Sequence, residues 1–264
     1  MTIKTAVVLF GMPRHVPSFL SSFERNILKP LERLNSRTNV MGALNVPTTV
    51  LNPRSGEQGI IERPESISER FPDVTLLPQQ DLSHSKEFAY FRTFPDRWKD
   101  DYRSVSNLLH QQHSLWAGTE QALEAKPDLF IFLRPDLTYL DSFDGLFDRI
   151  LKRNKREIYT PAWLTCRGLN DRIAITTSPE AARIYGTRMS KARDFTETYG
   201  TGLHSERLLA FTLGSSRVPN RFFTQRAARV RIDGNVVAED FTIKWRVKAR
   251  TQARLILAPK TYAR

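Results

Sequence analysis

Short apolar runs alternate with amphipathic stretches through the first part of the chain. Residues 5–10 and 39–46 are β-branched or apolar runs of strand length, and residues 73–77 form a third, shorter one. Between the first two, apolar side chains of residues 18–34 recur at helical spacing, with Pro30 predicting a kink or an end. This alternation is typical of an α/β domain with a mostly parallel sheet.

The clearest helix of the chain leads directly into its most apolar strand. Residues 101–125 place apolar side chains on one stripe, which predicts a long amphipathic helix. Residues 128–133 form an almost unbroken apolar run, which predicts a strand buried on both faces. Together they predict a right-handed crossover onto a parallel sheet. His110 and His113 lie on this helix and are expected to be solvated or packing residues.

Shorter elements follow. Residues 144–152 predict a helix, and Ser178-Pro179-Glu180 begins another, with serine as its cap and proline in its first turn. Residues 157–160 and 173–176 predict strands, and a further helix begins near Gly202.

The C-terminal region is predicted to be rich in β-structure. Asp233-Gly234-Asn235 is a hairpin signal between residues 228–232 and 236–238. Residues 241–247 and 254–257 are predicted as further strands or as an amphipathic basic segment.

The composition is that of a folded domain. With 264 residues, 40% of them hydrophobic and 26% charged, the chain can bury a large core. It contains no apolar stretch of about 18 residues and no recognisable signal peptide. The single cysteine, Cys166, excludes an internal disulfide, suits a reducing compartment and has no evident chemical role. We therefore expect a cytoplasmic protein.

The net charge of +12 is concentrated near the C-terminus. Residues 217–264 contain twelve Lys or Arg and three acidic residues. Such a segment favours an anionic partner, namely nucleic acid, an acidic lipid surface or a phosphorylated acceptor. The alternative is a solvated basic surface without a partner.

Two predicted strands end in side chains suited to phosphate. The strand at 128–133 is followed by Arg134-Pro135-Asp136, and the first strand by Gly11-Met12-Pro13-Arg14. In open α/β sheets, ligands bind outside the carboxyl ends of the strands. A carboxylate there suits a divalent cation that holds a diphosphate, and an arginine suits phosphate oxygens directly. A surface ion pair is the alternative interpretation.

The glycine turn after the first strand narrows the type of nucleotide site. It matches neither GxGxxG nor GxxxxGK[ST], so neither a Rossmann dinucleotide site nor a P-loop is predicted.

Taken in order, these segments resemble a family of small bacterial and viral glycosyltransferases of the GT-A type. The matching segments span about residues 4–213 and read FGMPR, the long glutamine-containing helix, FIFLRPDLTY, PAW, GLNDRIAI, AARIY and HSERLL. The resemblance implies a GT-A-like, Rossmann-type sheet flanked by helices in a catalytic domain of residues 1–213. A basic, β-rich extension over residues 214–264 is expected to pack on that domain.

The resemblance also implies substrates and a metal. The donor is a nucleotide-diphosphate sugar and the acceptor is a hydroxyl group of a growing glycan or a glycolipid, as in polysaccharide biosynthesis. In such enzymes a DxD motif after a central strand binds the metal that bridges the phosphates of the donor. Here that position reads Arg134-Pro135-Asp136, so Asp136 is the expected ligand of Mn²⁺ or Mg²⁺. Arg134 has a catalytic role at the leaving diphosphate, or replaces the metal in part.

Further site residues follow from the same resemblance. Gly11 and Arg14 are expected to bind the donor. Asp171 and Glu206 are candidates for the catalytic base or for acceptor contact, although a turn cap and a residue favoured by a helix dipole are equally simple explanations. The remaining substrate-binding candidates are Asn170, His204, which can also reach the metal or the diphosphate, and Trp163, which stacks on a sugar ring or packs in the core.

Two other functions remain open. A sulfotransferase is one, since the turn from Gly11 to Arg14 followed by Ser18 loosely resembles a loop that holds the phosphate of a sulfate donor. That loop lacks the expected run of Ser and Thr. The other is a nucleic-acid-binding protein, with bases stacking on aromatic residues of the basic tail (Phe222, Phe223, Phe241, Trp245 and Tyr262). It leaves residues 1–213 unexplained, so we expect no nucleic acid partner, and peripheral contact of the tail with an anionic membrane instead.

Overall fold

The computed structural model describes residues 2–52, 56–165 and 168–243. Within them the strands are β1 (Ile3–Gly11), β2 (Ser36–Val46), β3 (Val50–Asn52), β4 (Glu57–Gly59), β5 (Asp73–Pro78), β6 (Leu129–Leu133), β7 (Leu137–Tyr139), β8 (Ile158–Pro161), β9 (Ile173–Thr176), β10 (Asn220–Phe223) and β11 (Ala227–Arg229). The helices are α1 (Val16–Phe23), α2 (Lys29–Arg33), α3 (Glu65–Arg70), α4 (Lys86–Phe91), α5 (Arg103–Glu124), α6 (Leu146–Arg153), α7 (Pro179–Gly186), α8 (Ala192–Tyr199) and α9 (Ser205–Ser215). A π-helical turn (Glu24–Leu28) joins α1 to α2, and a 3₁₀ turn (Arg188–Lys191) precedes α8.

The central sheet has seven strands in the order β10-β8-β9-β6-β1-β2-β5. Neighbouring strands are parallel except around β9, which runs antiparallel to both β6 and β8. Strand β6 lies in the middle, and all five of its residues are buried. The predicted α/β class, with a mostly parallel sheet flanked by helices, is confirmed.

The core covers both faces of this sheet because side chains alternate along each strand. In β1, Val7 and Leu9 pack on one face, whereas Val8 and Phe10 pack on the other. The same alternation along β6 explains why its sequence is apolar at every position.

Helix α5 approaches the sheet so closely that only glycine fits at the contact. A Cβ atom on Gly118 would lie 3.2 Å from the Cα of Gly42 in β2 and 2.7 Å from a side-chain atom of β1. This close packing brings the N-terminal half of α5, which carries Asn107 and Gln111, towards the end of β1.

Several local predictions differ from the structure in instructive ways. The helix predicted over residues 18–34 continues through Pro30, and the π-helical turn ends at Leu28, shortly before this proline. The long loop after β2 contains the β3–β4 hairpin, whose three-residue strands give almost no periodic signal. The hairpin predicted around Gly234 is reduced to one bridge between Val230 and Val236, because β11 pairs with β7 instead.

The described residues after 213 complete the sheet. Strand β10 pairs with β8 at its edge, and β11 pairs with β7. The predicted domain boundary between residues 213 and 214 stays a prediction.

Four predictions concern positions outside the described residues, namely Cys166, Trp245, Tyr262 and the strand predicted at 254–257. None of the described helices combines the length and the apolarity that a membrane span requires.

Candidate functional site

A cleft lies at the edge of the sheet where β1 and β6 end and β9 begins. It consists of two adjoining cavities of about 190 and 410 Å³, called here the first and the second cavity. Asn107, Gln111, Arg134 and Arg229 line both of them. The chain continues from β1 to β2 on one side and returns as β6 on the other, so the cleft is at a topological switch point.

The first cavity is strongly basic. Gly11 begins its wall at the end of β1, with φ of +93°, a conformation that favours glycine. The charged lining residues among those described are four arginines and one carboxylate, namely Arg14, Arg134, Arg229, Arg231 and Asp136. Such a wall suits an anion.

Arg134 and Asp136 form a two-pronged ion pair inside the cleft. Arg134 donates from Nε to Oδ1 of Asp136 at 2.9 Å and from Nη2 to Oδ2 at 2.5 Å. Burial raises the pKa of Asp136, but the charges of Arg134, Arg14 and Arg172 outweigh it and hold that pKa below its usual range. The two side chains therefore do form a pair, as the alternative interpretation expected, but a partly buried one that faces a cavity.

Glu57, in β4, holds two of the arginines. Its Oε2 accepts a hydrogen bond from Nη1 of Arg231 at 3.2 Å, and its Oε1 lies 3.7 Å from Nε of Arg14. Burial lowers the pKa of Arg14, although Glu57 and Asp136 act in the opposite direction. Nη1 of Arg14 is buried without a hydrogen-bond partner among the described residues. This nitrogen is a ready donor for a ligand in the cleft.

Glu239 holds two more arginines where the cavities meet. Its Oε1 accepts hydrogen bonds from Nη1 of Arg172 at 2.9 Å and from Nε of Arg229 at 2.8 Å. Burial raises the pKa of Glu239, but the two arginines hold it below its usual range. Two buried glutamates thus fix four arginine side chains.

Asp171, just before β9, is the central polar residue of the second cavity. Its Oδ2 accepts hydrogen bonds from Nε2 of Gln111 at 3.1 Å, from Nη2 of Arg188 at 3.4 Å and from the hydroxyl of Ser205. Burial raises its pKa, but Arg188, Arg134 and the Ser205 hydrogen bond outweigh burial and keep the pKa below its usual range. The carboxylate is therefore ionised at neutral pH and held in place.

The start of α9 completes the second cavity with His204 and Glu206. His204 is buried, and burial together with the charge of Arg97 lowers its pKa to about 4. Its ring lies 5.8 Å from that of Trp98, which also lines this cavity. The second cavity therefore combines carboxylates, a neutral imidazole and an aromatic ring.

Most of the predicted site residues meet in this cleft. Gly11, Arg14, Arg134 and Asp136 line the first cavity, and Asp171, His204 and Glu206 line the second, which Arg134 also reaches. His110, expected to be solvated or packing, is buried in the wall of the first cavity.

Asn170 and Trp163 do not reach the cleft. Asn170 is fully buried, donating from Nδ2 to the Trp163 carbonyl and accepting at Oδ1 from the Arg172 amide. Trp163 is 1% exposed, and its indole N–H donates to the carbonyl of Gln225 at 2.9 Å. Both side chains hydrogen-bond to backbone groups. Their burial favours packing, the alternative considered for Trp163, over the substrate contacts expected of both residues.

Sequence reasoning missed Glu57, Glu239, Arg229 and Arg231 as site residues. Arg229-Val230-Arg231 did carry a signal, since alternate residues of an extended segment point to the same side. The two glutamates gave none, because neither lies in a segment with a periodic pattern and most of their partners are distant in the sequence.

Comparison with known proteins gives only distant similarities. No protein-family model matches the sequence, and no curated protein matches it. Among solved structures, the galactosyltransferase LgtC in complex with donor and acceptor sugar analogs is 13% identical, with a TM-score of 0.43, over 82% of this chain and 72% of that one. Mouse xyloside xylosyltransferase 1 is 12% identical, with a TM-score of 0.40, over 84% of this chain and 85% of that one. With similarities this low, the function has to be inferred from the residues of the cleft.

The residues of the first cavity do not fit a divalent cation. Asp136 is the one carboxylate among its described lining residues, and both of its oxygens already accept hydrogen bonds from Arg134. No group of three or more His, Cys, Asp or Glu side chains in the described residues is arranged to hold a metal ion. Because the surrounding guanidinium groups repel a cation, the expected Mn²⁺ or Mg²⁺ at Asp136 gains no support from this donor set.

Proposed function

We propose that this protein is a glycosyltransferase that moves a sugar from a nucleoside-diphosphate donor to a hydroxyl group of a glycan or glycolipid. The observation that carries the proposal is the arginine-lined cavity at the switch point of the sheet, which opens into a cavity lined by carboxylates. Guanidinium groups match the oxygens of a diphosphate in charge and in geometry. Carboxylates and an exposed aromatic ring suit a sugar with its hydroxyl groups.

The sizes of the cavities support an assignment of the parts of the substrates. A site for a ligand of this class occupies about 300–1,000 Å³. The first cavity, at about 190 Å³, suits the diphosphate, and the second, at about 410 Å³, suits the transferred sugar and the acceptor. Arg134 lines both, so we place it at the bond that breaks.

The proposed reaction exchanges one bond at the anomeric carbon. The acceptor oxygen forms a bond to that carbon while the bond to the β-phosphate oxygen breaks, which leaves a nucleoside diphosphate. Negative charge develops on the leaving oxygen, where fixed positive groups such as Arg134 and Arg14 stabilise it. The acceptor hydroxyl loses its proton to a carboxylate in the second cavity. We assign this base to Glu206, because the Asp171 carboxylate already accepts hydrogen bonds from Gln111, Arg188 and Ser205 and its pKa lies below the usual range.

A ligand screen tests the proposal. Melting temperatures are measured with UDP, GDP, dTDP, ADP and their sugars, and with adenosine 3′,5′-bisphosphate as the product of a sulfotransferase. We expect one nucleoside diphosphate to stabilise the protein, by about 2.7 kcal/mol at a hundredfold excess over its Kd, and its sugar to be transferred or hydrolysed. Stabilisation by adenosine 3′,5′-bisphosphate alone would favour the sulfotransferase instead.

Two arginines of the same segment provide the matched comparison. Arg229 lines both cavities, whereas Arg226 pairs with Asp141 on the surface and lines neither. Arg229→Gln should weaken nucleotide binding about tenfold, and Arg226→Gln should leave it unchanged.

A further inference from the structure

We infer that the diphosphate in this cleft is neutralised by arginine side chains and needs no divalent cation. This inference rests on the proposed function, which it makes more specific. The usual solution for a sugar nucleotide is a carboxylate that holds a metal, and the metal then bridges the phosphates. Here the carboxylate after β6, Asp136, pairs with Arg134 instead.

The first step of the argument is the state of Asp136. The fork of Arg134 covers both oxygens of its carboxylate, and this carboxylate is buried. A metal would have to displace Arg134 and then bear the repulsion of the other arginines in the same wall. The bidentate pair instead fixes the plane of the Arg134 guanidinium, as required for binding phosphate oxygens.

The second step is the charge balance around the first cavity. Its four arginines and the carboxylates that pair with them are Arg14, Arg134, Arg229 and Arg231, with Asp136, Glu57 and Glu239. Four guanidinium groups against three carboxylates leave an excess of one positive charge in these described residues, so this wall attracts an anion. A divalent cation would add two charges of the same sign as this excess.

The third step is preorganisation. Glu57 accepts from one nitrogen of Arg231, and Glu239 accepts from Nε of Arg229. A guanidinium has five N–H groups, so each arginine is anchored by a carboxylate while it keeps further donors for a ligand. Nη1 of Arg14 is buried without a hydrogen-bond partner in the described residues, which is costly unless a ligand accepts from it. The cleft is thus built around an anion that supplies acceptors.

Calorimetric titration tests this inference. UDP, GDP, dTDP and ADP are titrated into the full chain, once with EDTA and once with Mn²⁺. We expect one of them to bind with Kd values that agree within about threefold in the two buffers. Binding at least about tenfold weaker in EDTA would overturn the arginine-only inference and leave the proposed function standing. No binding in either buffer would overturn both.

Substitutions then show that the metal-free binding occurs in this cleft. Arg231→Gln should weaken the binding measured in EDTA about tenfold, because one charge-assisted hydrogen bond to phosphate is lost. Arg226→Gln is the control, since Arg226 is an arginine of the same chain segment that lies outside the cleft. Equal affinities for the two variants, with melting curves that show both to be folded, would mean that the nucleotide binds elsewhere and would overturn the inference.

Discussion

Glu57 and Arg231 form an ion pair across 174 positions of the chain, with Oε2 of the glutamate 3.2 Å from Nη1 of the arginine. The Glu57 side chain is only 2% exposed, and its Oε1 also accepts from the backbone amide of Ile232 at 3.0 Å. This contact ties the β3–β4 hairpin to the segment after β11 and sets Arg231 in the wall of the first cavity.

Glu57→Gln should therefore weaken both the fold and the site. The amide keeps the shape of the side chain but loses the charge that Arg14 and Arg231 face. We expect the free energy of unfolding to fall by roughly 1.5–3 kcal/mol, the range for hydrogen bonds to charged groups. Nucleotide affinity should fall as well, because Arg231 loses its anchor. Denaturant titration measures the first effect and calorimetry the second.

Glu65 is the matched control. Its carboxylate lies 3.9 Å from Nε of Arg63, and both side chains are more than half exposed. Exposed pairs contribute little, so Glu65→Gln should change the unfolding free energy by less than about 0.5 kcal/mol. A loss as large as that of Glu57→Gln would show that the buried position of Glu57 gives it no special role.

His204 should make the fold more stable as pH rises from 4 to 6.5. Its pKa is about 4 in the folded protein, against 6.5 for a free histidine, so the unfolded chain binds the proton more readily in this interval. The stabilisation is complete above pH 6.5 and is lost as pH falls towards 4. The difference in pKa corresponds to about 3 kcal/mol. Denaturant titration at several pH values should therefore give a shallower pH slope for His204→Gln than for the unsubstituted protein.

His113 provides a control of opposite sign. Its Nε2 lies 2.9 Å from a carboxylate oxygen of Glu87, and this hydrogen bond raises its pKa despite partial burial. Its contribution is therefore present below pH 6.5 and is lost as pH rises through the raised pKa. His113→Gln should reduce stability at pH 5.5 more than at pH 8. If both variants changed the slope in the same direction, His204 would not be buried in its neutral form.

Some parts of this site follow from the sequence and others do not. The position of the cleft at the ends of β1 and β6 could be predicted. The apolar runs identify both strands, and the carboxyl ends of neighbouring parallel strands lie at the same edge of a sheet. The environment of Asp136 could not, since the motif does not show that Arg134 occupies both of its oxygens. Trp163 shows the same limit. The carbonyl that satisfies its indole N–H belongs to Gln225, far along the chain, so the motif does not distinguish packing from sugar binding.

Trp98 should contribute to acceptor binding. It lines the second cavity and is 41% exposed, whereas Trp116 is 40% exposed on α5 and lines neither cavity. Trp98→Ala should raise the KM for the acceptor about tenfold and leave the Kd of the nucleoside diphosphate unchanged. Trp116→Ala should change neither quantity. A higher Kd for the nucleotide in Trp98→Ala would place this ring at the donor instead.

Truncation can separate the role of the basic C-terminal residues from that of the cleft. Residues 244–264 contain seven Lys or Arg and no acidic residue. Ending the chain after Ile243 should weaken binding to phosphatidylserine vesicles, since each basic residue near such a surface contributes about 1 kcal/mol. Nucleotide affinity should be unchanged. Removal of everything from residue 217 would delete β10, Arg229 and Arg231, so that larger truncation should lose nucleotide binding too. Equal vesicle binding with and without residues 244–264 would exclude the proposed membrane contact.

Glu206 and Asp171 should differ in what their removal costs. Glu206→Gln should lower kcat at least about a hundredfold, the usual contribution of a general base. Asp171→Asn should lower kcat and also destabilise the fold by roughly 3–5 kcal/mol, because Arg188 is fully buried and would lose its counter-charge. The pH profile of kcat separates the two roles independently of stability. With a general base, kcat falls at low pH as the base becomes protonated, and only the variant that lacks the base should lose this fall. If Asp171→Asn were stable and inactive while Glu206→Gln remained active, the base would be Asp171, and Glu206 would only line the cavity.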